Sequence, residues 1–197
     1  TPTTSSAASD VYKRQVYGTA PTFDLSKLLI QDMIKIEKNS HSFGVPEIDN
    51  MMAKSKIIGF KEKITRGNAS FELRSSGHVI GGSTVLVESK NKKLFYTGDI
   101  NLRGSRLLPP ADLDIGEVDM VITESTYSQE NQMPRKESEK GLIDFANEVI
   151  DRKGTLFIPS FSVERSQEVA SVLINSGFNH KIIMDGMASV SYTHLTL

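Results

Sequence analysis

Apolar residues fall into two rhythms along this chain. Between residues 69 and 97 they alternate with polar ones; after residue 118 they come in short continuous runs separated by helical stretches. The first rhythm predicts strands with one face in a core. Residues 69–73 form one such strand. Residues 84–88 and 93–97 form a hairpin about Lys90-Asn91-Lys92. Residues 57–64 read as a further strand before the turn at Arg66-Gly67-Asn68. Upstream, residues 16–21 give a short strand ending in a turn. Leu25, Leu28, Leu29 and Ile36 then keep helical spacing, which predicts a helix over 23–37 capped by Thr22. Residues 39–44 are polar and turn-like, and Ile48, Met51 and Met52 mark a short helix to about residue 54.

The second rhythm starts at residues 118–123, apolar almost throughout, as in a strand buried on both faces. Pro134 opens a helix lined by Leu142, Phe145, Ala146, Val149 and Ile150, and Gly154 closes it. A strand over 155–158, a helix over 166–176 and a strand over 181–184 follow. Strand–helix–strand succession is the signature of a parallel sheet, so the fold class is α/β, with a boundary between two units near Ser128.

Composition narrows the picture. With 197 residues, 38% hydrophobic and 24% charged, the chain suits one globular core, or one domain and part of another. No apolar run approaches the length of a membrane span, so no membrane partner is expected. Cysteine is absent, which leaves His and carboxylates as ligands for any transition metal and fits a cytoplasmic protein. A formal net charge of −1 does not announce a nucleic-acid partner, so any phosphate binding must be local. Residues 1–15 are rich in Ser, Thr and Ala without periodicity. They and residues 189–197 also resemble translated library-adaptor sequence. Both are set apart as non-native or disordered tails, with His194 given no functional weight.

Three phrases carry candidate chemistry: Ser76-Gly77-His78-Val79-Ile80-Gly81-Gly82, Tyr96-Thr97-Gly98-Asp99 and Glu124-Ser125-Thr126-Tyr127. Each places His78, Asp99 or Glu124 beside a glycine turn or at the end of an apolar run. Singly, these residues read as a polar histidine, a turn-forming aspartate and a capping glutamate. Together they stand at strand ends, where open α/β sheets place functional groups. An imidazole with carboxylates suits Zn²⁺, Mn²⁺ or Fe²⁺. A metal site and an ordinary set of turn residues both remain open at this point.

The same phrases resemble the third and fourth metal motifs of metallo-β-lactamase-fold nucleases and motif A of their β-CASP branch, which includes mRNA 3′-end cleavage factors and archaeal relatives. The segment Pro159-Ser160-Phe161-Ser162-Val163-Glu164-Arg165-Ser166-Gln167-Glu168 resembles that branch's Pro-x-Phe-x-x-x-Arg-x-Gln-Glu. Arg106-Leu107-Leu108 and Asp185-Gly186-Met187-Ala188 also match, so the resemblance spans nearly all of 16–188. It implies the second half of a metallo-β-lactamase αββα sandwich (16–127), followed by the start of an inserted β-CASP α/β domain (128–188). It implies a zinc-dependent ribonuclease, with two Zn²⁺ per intact site activating a hydroxide against an RNA phosphodiester. His78 is then a ligand of one metal and Asp99 the bridging carboxylate. Glu124 is the acid that orients a partner histidine, and Arg165 and Gln167 contact either RNA or a domain interface. A homodimer or an RNA-processing complex is the implied assembly. The family's His-x-His-x-Asp-His motif and its two later histidine motifs are absent from this chain, so the chain by itself is expected to be inactive. Glu164 stands where the family usually has Gly, and Ser128 where Gly often follows the Tyr. Alternatives are a non-catalytic scaffold subunit of a 3′-end processing complex and a non-nuclease hydrolase of the same fold.

Overall fold

The computed structural model describes residues 15–37 and 43–195. The expected tail over 1–14, the polar turn around 39–42, His41 and the side chain of His194 lie outside the described residues. The fold is mixed α/β. β1 (Val16–Gly18) and β2 (Ser55–Ile57) pair in parallel, joined through α1 (Ala20–Ile36) and α2 (Val45–Ala53). A second sheet runs in chain order: β3 (Ile64–Arg66), β4 (Ala69–Ser75), β5 (Ser83–Ser89), β6 (Lys92–Tyr96) and β7 (Met120–Ile122). Its first four strands are antiparallel, and β7 joins β6 in parallel.

The hairpin forms because its turn suits it. Lys90 and Asn91 both take positive φ (49° and 61°), which matches the twist of the flanking strands. The register then sets Leu86 opposite Phe95, and both are buried. Leu25, Ile48, Ile58 and Leu73 are the other buried apolar side chains of this half.

α1 begins three residues earlier than the spacing predicts. Its cap is Thr19, whose hydroxyl accepts from the Thr22 amide at 3.4 Å, and Pro21 sits in the first turn, where its missing N–H costs nothing. The strand expected over 57–64 is instead split into β2 and β3. Gly59 and the positive φ of Lys61 (65°) interrupt it, leaving a single bridge from Phe60 to Leu73.

The second half carries α3 (Arg135–Asp151), α4 (Arg165–Asn175) and α5 (Met187–Leu195). Ala146, Val149, Ala170, Val172 and Leu173 are its buried apolar residues. Three expectations are corrected here. β7 is an edge strand with exposed side chains, not one buried on both faces, because only β6 pairs with it. Residues 155–158 and 181–184 form no strand. Their apolar runs meet no ladder partner among the described residues, and a strand without a ladder leaves its amides to water. Phe157 is accordingly 85% exposed. α5 also continues through residue 189, where the sequence suggested a tail, and its Ser191 is fully buried. No helix among the described residues is long and apolar enough to cross a membrane.

Candidate functional site

The loop carrying His78 depends on two glycines. Gly77 has φ +64°, and a Cβ there would sit 2.6 Å from the Ala111 amide nitrogen and 2.8 Å from the Asn101 carbonyl. Gly81 has φ +74°, and its Cβ would meet the Thr19 hydroxyl at 2.7 Å. Any side chain at either position must displace backbone or a capping group, and the conformation itself favours glycine. The loop is closed by the Ser76 amide donating to Gly82 O at 3.0 Å. It is pinned from α1 by the Thr19 and Thr22 hydroxyls, which donate to Gly81 O at 3.0 and 2.9 Å. Thr22, expected as a cap, does this work instead.

Asp99 lies just past β6, on the turn opened by Gly98 (φ +54°). Two bonds fix this turn. The Asn101 amide donates to Ser76 O at 2.9 Å, tying it to the histidine loop. The Ile100 amide donates to Glu124 Oε1 at 2.9 Å, tying it to the segment after β7. His78 Nε2 thereby stands 3.7 Å from Asp99 Oδ2. Asp99 is open to solvent and His78 half-buried. Two donors each about 2.1 Å from one cation stand within about 4.2 Å of each other, so this separation fits a shared divalent ion. It fits a His–Asp hydrogen-bonded pair less well, being too long for a good bond. No group of three or more such ligands occurs among the described residues, so the pair does not by itself make a closed metal site.

Glu124 has local partners in this chain. The Thr126 hydroxyl, then the Ile100 amide, hold its carboxyl below the usual carboxylate range, and the imidazole of His78 contributes least. It stays ionised and anchors the backbone beside Asp99.

Arg165 and Gln167 separate sharply. Arg165 opens α4 and is exposed. Gln167 is buried: its amide nitrogen donates to Ser162 O at 3.0 Å and to Ser191 Oγ at 3.2 Å. It knits the 159–164 loop to α5 and keeps little exposed surface of its own. Its Oε1 and the Oε2 of Glu168 are buried without a hydrogen-bond partner.

Sequence reasoning passed over the charged cluster beside the site. Arg106, in the loop after Asp99, binds Glu139 of α3, and its backbone amide donates to Glu168 Oε1 at 2.8 Å. Arg135 binds both Glu139 and Glu168. Arg106 and then Arg135 hold the Glu139 carboxyl down to about 2, with burial opposing them. The available signal was Arg106 itself, a cation in a loop facing a helix rich in acids. Glu164 was noticed only as a departure, and it proves to be buried.

No protein-family model matches the chain. Curated relatives do. RNase aCSPSF2 of Saccharolobus solfataricus is 33% identical over 175 residues, 88% of this chain and 36% of that protein. An RNase J-like protein of Methanocaldococcus jannaschii is 33% identical over 165 residues, 82% of this chain and 38% of its own length. Cleavage and polyadenylation specificity factor subunit 3 of Dictyostelium discoideum is 28% identical over 166 residues, 82% of this chain and 21% of its own. The chain thus spans about two fifths or less of the relatives it matches. With this similarity over most of its length, and with its His78, Asp99 and Glu124 phrases in place, the chain belongs to the metallo-β-lactamase-fold β-CASP family.

Proposed function

We propose that the chain is part of a metal-dependent β-CASP ribonuclease. Residues 16–127 belong to its lactamase-like domain, and 128–188 belong to the β-CASP domain. The observation that carries this is the meeting of His78 and Asp99 at 3.7 Å on two loops bonded to one another. Relatives named as RNases support RNA as the substrate. His78 and Asp99 would hold a divalent ion, with zinc the expected metal. A metal held there supplies Lewis-acid polarisation of a phosphoryl oxygen and a water activated at neutral pH.

The chain's own residues do the rest. His78 and Asp99 present two donors on rigid loops, so little ordering cost falls on ligation. Glu124 holds the Ile100 amide and thereby fixes where the Asp99 carboxylate points. Arg165, exposed at the start of α4, meets phosphate as a cation that the helix terminus does not neutralise.

The test compares two chains on a labelled RNA with Zn²⁺. The 197-residue chain, with two donors, is expected to show no metal-dependent cleavage. The full-length parent is expected to cleave, and to lose at least a hundredfold in rate on His78→Ala or Asp99→Asn. Cleavage by the parent that survives both substitutions overturns the reading, as does metal-dependent cleavage by the short chain.

A further inference from the structure

The loop between Asp99 and β7 is bonded to itself at both ends. Its base is shut by the Ala111 amide, which donates to Asn101 O at 2.8 Å. Its tip is a tight turn. The Ser105 amide donates to Leu108 O at 2.8 Å, and the Ser105 hydroxyl accepts from the Leu107 and Leu108 amides at 3.1 and 3.0 Å. Gly104 (φ +73°) lets the tip fold back on Pro110, whose Cδ would lie 2.9 Å from a Cβ there. A loop with its ends together and its turn bonded is compact, so a hold on its tip is felt at its base.

The base carries the candidate site. The Asn101 amide donates to Ser76 O and the Asp112 amide to Ser75 O, both at 2.9 Å. Ser76 is buried, and its hydroxyl accepts from the His78 amide at 3.4 Å. Gly77 rests against the same base, beside the Ala111 nitrogen and the Asn101 carbonyl. The tip is held from the other half of the chain. Glu168, in the first turn of α4, accepts the Arg106 amide through Oε1 at 2.8 Å, and the same oxygen takes Arg135 of α3. Glu168 is 5% exposed, and its Oε2 has no hydrogen-bond partner. A carboxylate buried with one oxygen unpaired is costly, so it asks for a reason other than stability. The held loop supplies one.

We propose that Glu168 is a positioning residue: from α4 it fixes the tip of the 101–111 loop through the Arg106 amide, and the base of that loop sets the His78 loop against Asp99. Two donors of the first half are thus spaced by an acid of the second. The inference rests on the reading of His78 and Asp99 as metal donors.

The test uses the ¹⁵N-labelled 197-residue chain and three readouts: hydrogen exchange at Arg106 and Ala111, the imidazole resonances of His78, and their response to added Zn²⁺. Glu168→Ala is expected to speed exchange at both amides at least tenfold and to move the His78 signals, while exchange across β4–β6 is unchanged. Glu168→Gln keeps a carbonyl acceptor without the charge, and is expected to restore both. Should Glu168→Ala lose the native spectrum, Glu168→Asp is read in its place, since it keeps the charge but stops one methylene short of the Arg106 amide. Unchanged exchange at Arg106 or Ala111, or unmoved His78 signals, overturns the proposal. So does a Gln variant that restores neither, for then charge and not the bond to the loop is what matters. Equal acceleration throughout β4–β6, or loss of the native spectrum in both the Ala and Asp variants, also overturns it, since either marks a general loss of structure. The Zn²⁺ arm separates the two readings. His78 signals that ignore Zn²⁺ in the unsubstituted chain count against the metal reading alone. A Zn²⁺ response, with His78 indifferent to Glu168→Ala, counts against Glu168 alone.

Discussion

Phe95 and Phe157 sit in runs that look alike, Lys93-Leu94-Phe95-Tyr96 and Thr155-Leu156-Phe157-Ile158, and meet opposite fates. Phe95 is 3% exposed in the middle of a paired strand, and Phe157 is 85% exposed in a segment with no ladder. The difference lies in the partners. β6 finds β5 across a two-residue turn, so its pairing is local and needs little loop closure. Residues 155–158 have helices on either side, so any strand partner must come from far along the chain. An apolar run records that a segment is fit to be a strand, whereas the ladder makes it one.

The comparison can be broken or sharpened by measurement. The largest effect is expected from Phe95→Ala, which empties a buried site beside Leu86 and should cost about 3–5 kcal/mol in urea unfolding. A loss below about 1 kcal/mol would show that the hairpin does not hold the core. Gly77→Ala comes next. Its Cβ, 2.6 Å from the Ala111 nitrogen, should destabilise by about 2–3 kcal/mol and shift the His78 resonances. Thr19→Ala removes both the α1 cap and a bond to Gly81 O, with an expected cost of about 1–2 kcal/mol, read by the same unfolding curves.

A pH effect distinguishes the second half from the first. The folded value of Glu139 is depressed, from 4.5 to about 2. A depressed carboxylate stabilises fully above its unfolded value and loses that contribution as pH falls through its folded one. The Glu139 contribution to holding Arg106 and Arg135 on α3 should therefore fade between about pH 4.5 and 2. Glu139→Gln should remove that part of the acid dependence, as followed by circular dichroism across the range. The smallest effect is expected at Phe157→Ala, within about ±0.5 kcal/mol. If it costs as much as Phe95→Ala, residues 155–158 are packed in solution and the contrast fails.

Much of the fold was legible where its cause is local. The hairpin, the helices over α1, α3 and α4, and the glycine-bounded turns at His78 and Asp99 follow from spacing and turn chemistry within a few residues. The donor types at 78 and 99 were equally plain. Their separation was not, because it depends on the bond from the Asn101 amide to Ser76 O, across 25 residues. Glu124 shows the same limit. Its place after an apolar run was readable, but its bond to the Ile100 amide was not. The sequence left Gln167 open to RNA or a domain interface, and could not show its bonds to Ser162 and Ser191.

By itself, then, the sequence determined the chemistry of the side chains, the elements that bond to themselves, and the family. Tertiary structure alone decided which apolar runs became strands, how far apart His78 and Asp99 stand, and that Glu164 is buried in a positive-φ turn. The physical reason is one of range. Helix and turn bonds connect residues a few positions apart, so the order of residues carries them. Ladders, burial and clamps connect remote segments, and only the packed chain settles which of those contacts are made.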